Sequence, residues 1–205
     1  MSVLLSEGNT ILRPDLAIIT SLVPRNSLVL DLGCGNGELL AYLEQHKDVS
    51  GRGIELSEAG VLACVKRGVS VRQGRLEEGL ADYPSGRFDV VILSQTLPFL
   101  SDPVGIIAEM LRVGKRAIVS FPNWGHWRSR WHLFRQGKMP AMPDLGTHWF
   151  EAPRWQAFTI SDFIGLCQAH DFSIRESLFL NRGQKVGLRS WANLLATTAV
   201  FSLGE

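Results

Sequence analysis

Residues 29–37 read Val29-Leu30-Asp31-Leu32-Gly33-Cys34-Gly35-Asn36-Gly37, and they decide the fold. Three glycines at alternate positions follow an apolar run and precede ELLAYLEQ, so the most flexible residues stand where a strand hands over to a helix. Glycine reaches φ > 0 and has no Cβ, which lets main-chain N–H groups lie directly against a bound molecule. The helix from Gly37 then turns its positive end toward that molecule. In a doubly wound sheet this crevice, outside the carboxyl ends of the strands, is where ligands sit.

The glycine spacing separates two ligand classes. Dinucleotide folds use G-x-G-x-x-G, whereas Gly33, Gly35 and Gly37 give G-x-G-x-G preceded by Asp31. That favours S-adenosylmethionine over NAD. Glu55 closes the next strand, where a carboxylate accepts hydrogen bonds from ribose hydroxyls and repels a 2′-phosphate. Asp31 serves either the ligand or the turn, and Cys34 offers its backbone.

Outward from this motif, strand and helix alternate. Strands are expected over 27–32, 49–56, 69–74, 88–94 and 116–122, with helices over 37–46, 57–68 and 102–113 and an earlier helix started by Pro14. Ser57 and Asp102 are capping residues and Gly68 suits a helix end. Such alternation predicts a Rossmann-like, doubly wound α/β sheet. After an insertion rich in Trp, Arg and Pro at about 123–158, a helix over 159–171 resumes, and strands over 172–180 and 195–203 complete a seven-stranded, mostly parallel sheet as an antiparallel hairpin.

The 205 residues fit one domain, with 45% apolar and 20% charged residues. A net charge of +1 supplies no global field toward nucleic acid or membrane. No stretch has the length and apolarity of a membrane span, and the start lacks a secretory pattern, so a cytoplasmic protein is expected. Cys34, Cys64 and Cys167 lack CxxC spacing, and Cys64 and Cys167 read as reduced packing residues. No histidine pairs at metal-ligand spacing.

VLDLGCGNG and GIEL resemble the motifs of class I S-adenosylmethionine-dependent methyltransferases. LRPDL, FDVVILSQTL, EMLRVGKRAIVSFPNWGHW and GKMP, with the glycine stretch, resemble more closely the MetW family of methionine biosynthesis. The resemblance implies a methyltransferase-like fold, S-adenosyl-L-methionine or S-adenosyl-L-homocysteine as cofactor, and homoserine O-acyltransferase as partner. The cofactor-binding candidates are Asp31, Gly33, Cys34, Gly35, Gly37, Glu55, Leu56, Leu76 and Ser94. One departure stands out: Arg75 occupies a position where many methyltransferases place an acid against adenine, leaving Glu77 or the backbone near Leu76 for that contact.

A sulfonium methyl donor needs chiefly an aligned acceptor, so catalysis does not require a conspicuous base. The candidates are Gln95, after the fourth strand, and His126, after the fifth, with His126 otherwise fixing its loop through hydrogen bonds. Two functions remain open: an S-adenosylmethionine-binding partner of the acyltransferase, and a methyltransferase acting on a small-molecule acceptor. Trp124, Trp127, Trp131 and Phe134 step by three, four and three, as one face of a helix does, with Arg128, Arg130, Arg135 and Lys138 on its other sides. That face packs on the sheet, docks a partner protein, or, least in keeping with the overall charge, stacks nucleic acid.

Overall fold

Side chains along the central strands alternate between two apolar layers. Leu30 and Leu32 enter one and Val29 the other; Val91 and Leu93 oppose Val90 and Ile92 in the same way. This period of two, in strands apolar on both sides, is what a sheet covered on both faces requires. The computed structural model describes residues 12–140 and 155–204.

The strands are β1 Leu28–Leu32, β2 Ser50–Glu55, β3 Val71–Gln73, β4 Val90–Ser94, β5 Arg116–Pro122, β6 Ile174–Asn181, β7 Gln184–Lys185 and β8 Thr198–Gly204. They form one sheet in the order β3-β2-β1-β4-β5-β8-β6-β7. The first five pair in parallel, and β8 runs antiparallel between β5 and β6. Helices α1 Pro14–Leu22, α2 Glu38–Lys47 and α3 Glu58–Lys66 contribute Ile19, Leu40 and Cys64 to one layer. On the opposite face, α4 Leu76–Gly79, α5 Pro103–Val113 and α7 Ile160–Ala169 contribute Leu76, Ile107 and Phe163. The remaining α-helices among the described residues are α6 Trp127–Gln136 and α8 Ala192–Leu195.

The doubly wound, mostly parallel sheet is as expected, and all seven expected strands form. An eighth, β7, adds to them. Chain reversal after Asn181 uses Arg182 at φ 49° and Gly183 at φ 86°, and two central residues with φ > 0 are what a two-residue hairpin demands. Asn181 thereby faces Gln184 in register. The closing strands are antiparallel neighbours, but β8 reaches its place through β7, a short helical turn and α8 rather than by a direct hairpin.

Local signals act where the residues suggest. Ser57 accepts from Gly60 N–H, Asp102 from Gly105 N–H, and Thr159 exchanges bonds with Asp162 in a capping box. Gly68, at φ 77°, follows the end of α3.

The aromatic segment departs from expectation. Helix α6 starts at Trp127, so Trp124 lies before it, buried and stacked 4.7 Å from Trp155. None of the residues of α6 is buried, so its face does not pack on the sheet among the described residues. The rest of the expected insertion, 141–154, lies outside the described residues. Among the described residues no helix is long and apolar enough to cross a membrane.

Candidate functional site

At the carboxyl end of β1 the chain turns through Gly33, Gly35 and Gly37, with φ of 72°, 56° and 73°. All three lie in the left-handed region, where a Cβ costs about 1–2 kcal/mol. Two N–H groups, those of Gly33 and Cys34, donate to Ile54 O at 2.8 and 3.2 Å, stitching the loop to β2. Gly37 N–H closes the turn on Cys34 O at 2.9 Å. The three glycines differ in what surrounds them. A Cβ on Gly33 would meet Thr96 Oγ1 at 2.8 Å and one on Gly37 would meet Cys64 Sγ at 2.9 Å, whereas at Gly35 nothing among the described residues lies within 4 Å.

Gly35 therefore opens onto free space, and a cavity of about 370 Å³ lies there. Its walls include Arg13 and Leu16, then Asp31 from β1, Gly33, Cys34, Gly35 and Asn36 from the turn, Glu38 and Leu39 from α2, and Ser94 from β4. Asp31 is buried, and its Oδ1 has no hydrogen-bond partner among the described residues. Burial, opposed by the Arg13 charge and reinforced by Glu55, pushes its carboxyl up to about 7. An unpaired buried carboxyl oxygen costs about 1–3 kcal/mol, which a ligand donor or cation entering the cavity would recover.

Glu55 grips the loop itself. Its Oε2 accepts from Gly35 N–H at 2.9 Å and its Oε1 from Ser57 N–H at 2.9 Å. Each carboxylate oxygen keeps a second acceptor site. The side chain thus couples the glycine turn to the start of α3 and still presents lone pairs.

The other candidates scatter. Cys34 turns its side chain inward, 3.7 Å from Cys64 Sγ and against Gly53, and burial pushes both thiols above their ordinary range. Cys34, Cys64 and Cys167 are all buried and free. Leu56 is exposed beyond Glu55, while Leu76 is buried at the start of α4. Arg75 precedes that helix as its N-cap residue, and the side chain of Glu77 lies outside the described residues.

Sequence reasoning missed a polar cluster that closes the cavity from α1. Asp15 is buried and accepts from Arg13 Nη2 at 3.3 Å, Ser94 Oγ at 3.2 Å and Gln95 Nε2 at 3.4 Å. Ser120 Oγ donates to Ser94 Oγ at 3.2 Å, tying in β5. Gln95 itself sits at φ 56°, a strained conformation for a residue with a Cβ, fixed by its N–H to Ser120 O. The available signal was LRPDL, whose Arg and Asp flank a helix-starting proline.

His126 does not line this cavity. It is the N-cap of α6, where Nδ1 accepts from Arg128 N–H at 3.3 Å. Burial, then the charges of Arg128 and Arg182, hold its pKa below the ordinary histidine value. A neutral ring accepting at Nδ1 carries its proton on Nε2, which has no partner among the described residues, so it presents a donor rather than a base. No cluster of three or more metal-ligating side chains occurs among the described residues.

The family model of methionine biosynthesis protein MetW matches residues 13–203. The chain is 35% identical over 195 residues to the bifunctional methionine biosynthesis protein MetXA/MetW of Rhodopirellula baltica, covering 90% of this chain and 31% of that protein. It thus spans about a third of the length of the curated relatives it matches. Among solved structures, it is similar to an S-adenosylmethionine-dependent methyltransferase, possibly a histamine N-methyltransferase, of Thermotoga maritima. That likeness has a TM-score of 0.65 at 18% identity over 93% of this chain and 87% of the other. The 1,6-didemethyltoxoflavin N1-methyltransferase of Burkholderia thailandensis, crystallised with 1,6-didemethyltoxoflavin and S-adenosylhomocysteine, gives a TM-score of 0.63 at 17% identity, covering 93% and 76%. At these identities the solved structures speak for the fold.

Proposed function

We propose, from the premise that this chain belongs to the MetW family of methionine biosynthesis proteins, that it binds S-adenosylmethionine or S-adenosylhomocysteine and acts as a partner of homoserine O-acyltransferase. The observation that carries the ligand reading is the unpaired, buried Oδ1 of Asp31 on the wall of a cavity roofed by left-handed glycines. The methionyl end of either nucleoside is an α-amino acid. Its ammonium suits Asp31, and its carboxylate suits Arg13 across the same cavity. Glu55 has acceptor capacity left for the ribose hydroxyls. Bound S-adenosylmethionine would supply an activated methyl group, and Asp31, Arg13 and Glu55 would orient it.

The partner reading is supported by the relative from Rhodopirellula baltica, whose name joins MetXA and MetW in one polypeptide. Fusion holds two units at high effective concentration, which suits proteins that work in contact. If complex formation differs between free and nucleoside-bound forms, the acyltransferase must shift nucleoside affinity by the same factor. The test is calorimetry with S-adenosylhomocysteine, followed by titration of the cognate acyltransferase with and without that nucleoside, monitoring complex formation and acyl transfer. No heat with the nucleoside removes the ligand reading. No complex and no change in acyl transfer removes the partner reading.

A methyltransferase acting on a small-molecule acceptor is the second reading, favoured by the strained Gln95 whose amide is held by Asp15 beside the cavity. Its test is S-adenosylhomocysteine release dependent on an added acceptor. Turnover with no acceptor in a broad panel, despite tight cofactor binding, would sink it.

A further inference from the structure

Helix α6 stands apart from both apolar layers. Trp127, Trp131 and Phe134, at i, i+4 and i+7, are 44%, 55% and 84% exposed, and Trp131 and Phe134 lie with ring centroids 5.9 Å apart. At 100° per residue the three fall within about 60° of one another around the helix. On the same count Arg128 and Arg135 fall on one flank of that stripe and Arg130 on the other. Residues 127–138 hold four of the chain's cations, counting Lys138, and no carboxylate, in a protein whose net charge is only +1. A monomeric surface rarely leaves two tryptophans and a phenylalanine together in water, and Trp with Arg is the pairing that dominates binding hot spots.

We propose that α6 is a helix-in-groove docking element whose occupant is homoserine O-acyltransferase, entered through an apolar groove on that enzyme rimmed by carboxylates. The proposal rests on the partner reading above and adds the surface and its chemistry. The three-point spacing is that of a helix laid into a groove. Cations on both flanks complement acidic rims on both sides, which fixes orientation and register. A protein occupant is favoured over a lipid surface because a relative joins MetXA and MetW in one polypeptide.

The anchoring of α6 gives docking a route to the site. Arg130 Nε donates to Gly125 O at 2.6 Å and His126 caps the helix, so α6 is tied to the chain leaving the carboxyl end of β5. Ser120 in β5 joins the Ser94 and Asp15 cluster on the cavity wall.

The experiment is calorimetric titration of the cognate acyltransferase with the full chain, the Trp131→Ala/Phe134→Ala variant and the Arg128→Glu/Arg135→Glu variant. S-adenosylhomocysteine binding by each variant serves as the folding control. Parallel arms use vesicles of phosphatidylcholine with phosphatidylglycerol, and sedimentation of the chain alone. The expected result is roughly a thirtyfold or greater loss of acyltransferase affinity for the aromatic variant with nucleoside binding retained. The charge variant weakens binding too and flattens its salt dependence. Wild-type binding matched by both variants overturns the surface and leaves the partnership standing. No wild-type complex overturns both. Vesicle binding or self-association that needs Trp131 and Phe134, with acyltransferase binding indifferent to them, reassigns the face and overturns the proposal.

Discussion

Gly35→Ala and Gly37→Ala should separate stability from ligand binding, because the two positions share backbone strain and differ in their neighbours. Both are left-handed, so alanine costs about 1–2 kcal/mol at either, a fall in Tm of roughly 2–8 °C for a chain of this size. At Gly35 nothing among the described residues lies within 4 Å of the new Cβ, and the loss stops there. At Gly37 the Cβ falls 2.9 Å from Cys64 Sγ and 3.4 Å from Cys64 Cα, and that thiol is itself wedged 3.7 Å from Cys34. Overpacking of this kind adds about 1–3 kcal/mol, so the Tm loss at Gly37 should be about twice that at Gly35. The order reverses for the ligand. Gly35 faces the cavity and Gly37 does not, so Gly35→Ala should weaken S-adenosylhomocysteine binding by about 2 kcal/mol, roughly thirtyfold. Thermal denaturation without ligand and calorimetry with it measure the two effects. Binding by Gly35→Ala within about threefold of wild type, less than 1 kcal/mol, would refute the placement of the ligand against this turn.

Asp31 carries a pH signature. A carboxyl raised to about 7 holds a proton that the unfolded chain has already released, so it lowers stability progressively as pH rises from about 4 to about 7, and by a constant amount above. Asp31→Asn should remove that slope in urea denaturation at several pH values; an unchanged slope counts against a buried, unpaired carboxyl. A ligand ammonium beside Asp31 favours its ionised form, so nucleoside affinity should rise with pH through about 7 in wild type and stay level in Asp31→Asn. Glu55→Gln leaves one acceptor oxygen where two serve Gly35 and Ser57, so it should cost about 1–3 kcal/mol and weaken nucleoside binding. Retained affinity and Tm would show that the grip on the loop contributes nothing. Thr159→Ala breaks the capping box of α7 and should lower stability by about 1 kcal/mol with ligand affinity unchanged, as denaturation and calorimetry will register.

Most of the architecture was legible because its signals are local. The apolar runs that become β1 and β4, the caps at Ser57 and Asp102, and the glycines of the turn each act within a few residues. What escaped depends on contacts across the sheet. Arg13 and Asp15 look like the flanks of a helix start, and only the placement of α1 over the carboxyl ends of β4 and β5 brings Asp15 to Ser94 and Gln95, some 80 residues away. The Arg182-Gly183 reversal lacks the asparagine or aspartate that usually announces such a hairpin. Trp124 was misplaced because a spacing of three or four cannot say where the helix begins, and His126 sets that boundary from within the run.

The position of β8 bears on how the chain assembles as it leaves the ribosome. All of β1 to β5 can associate early, yet β5 must present an unfilled edge until Thr198–Gly204 has been made, since that strand alone bridges β5 to β6. The two strands β6 and β7 have nothing to join before then. An unfilled, apolar edge invites pairing with other nascent chains, so the interval between the completion of β5 and the arrival of β8 is when this protein is most exposed to misassembly. Pulsed hydrogen exchange during refolding should accordingly find the amides of β6 and β8 gaining protection together.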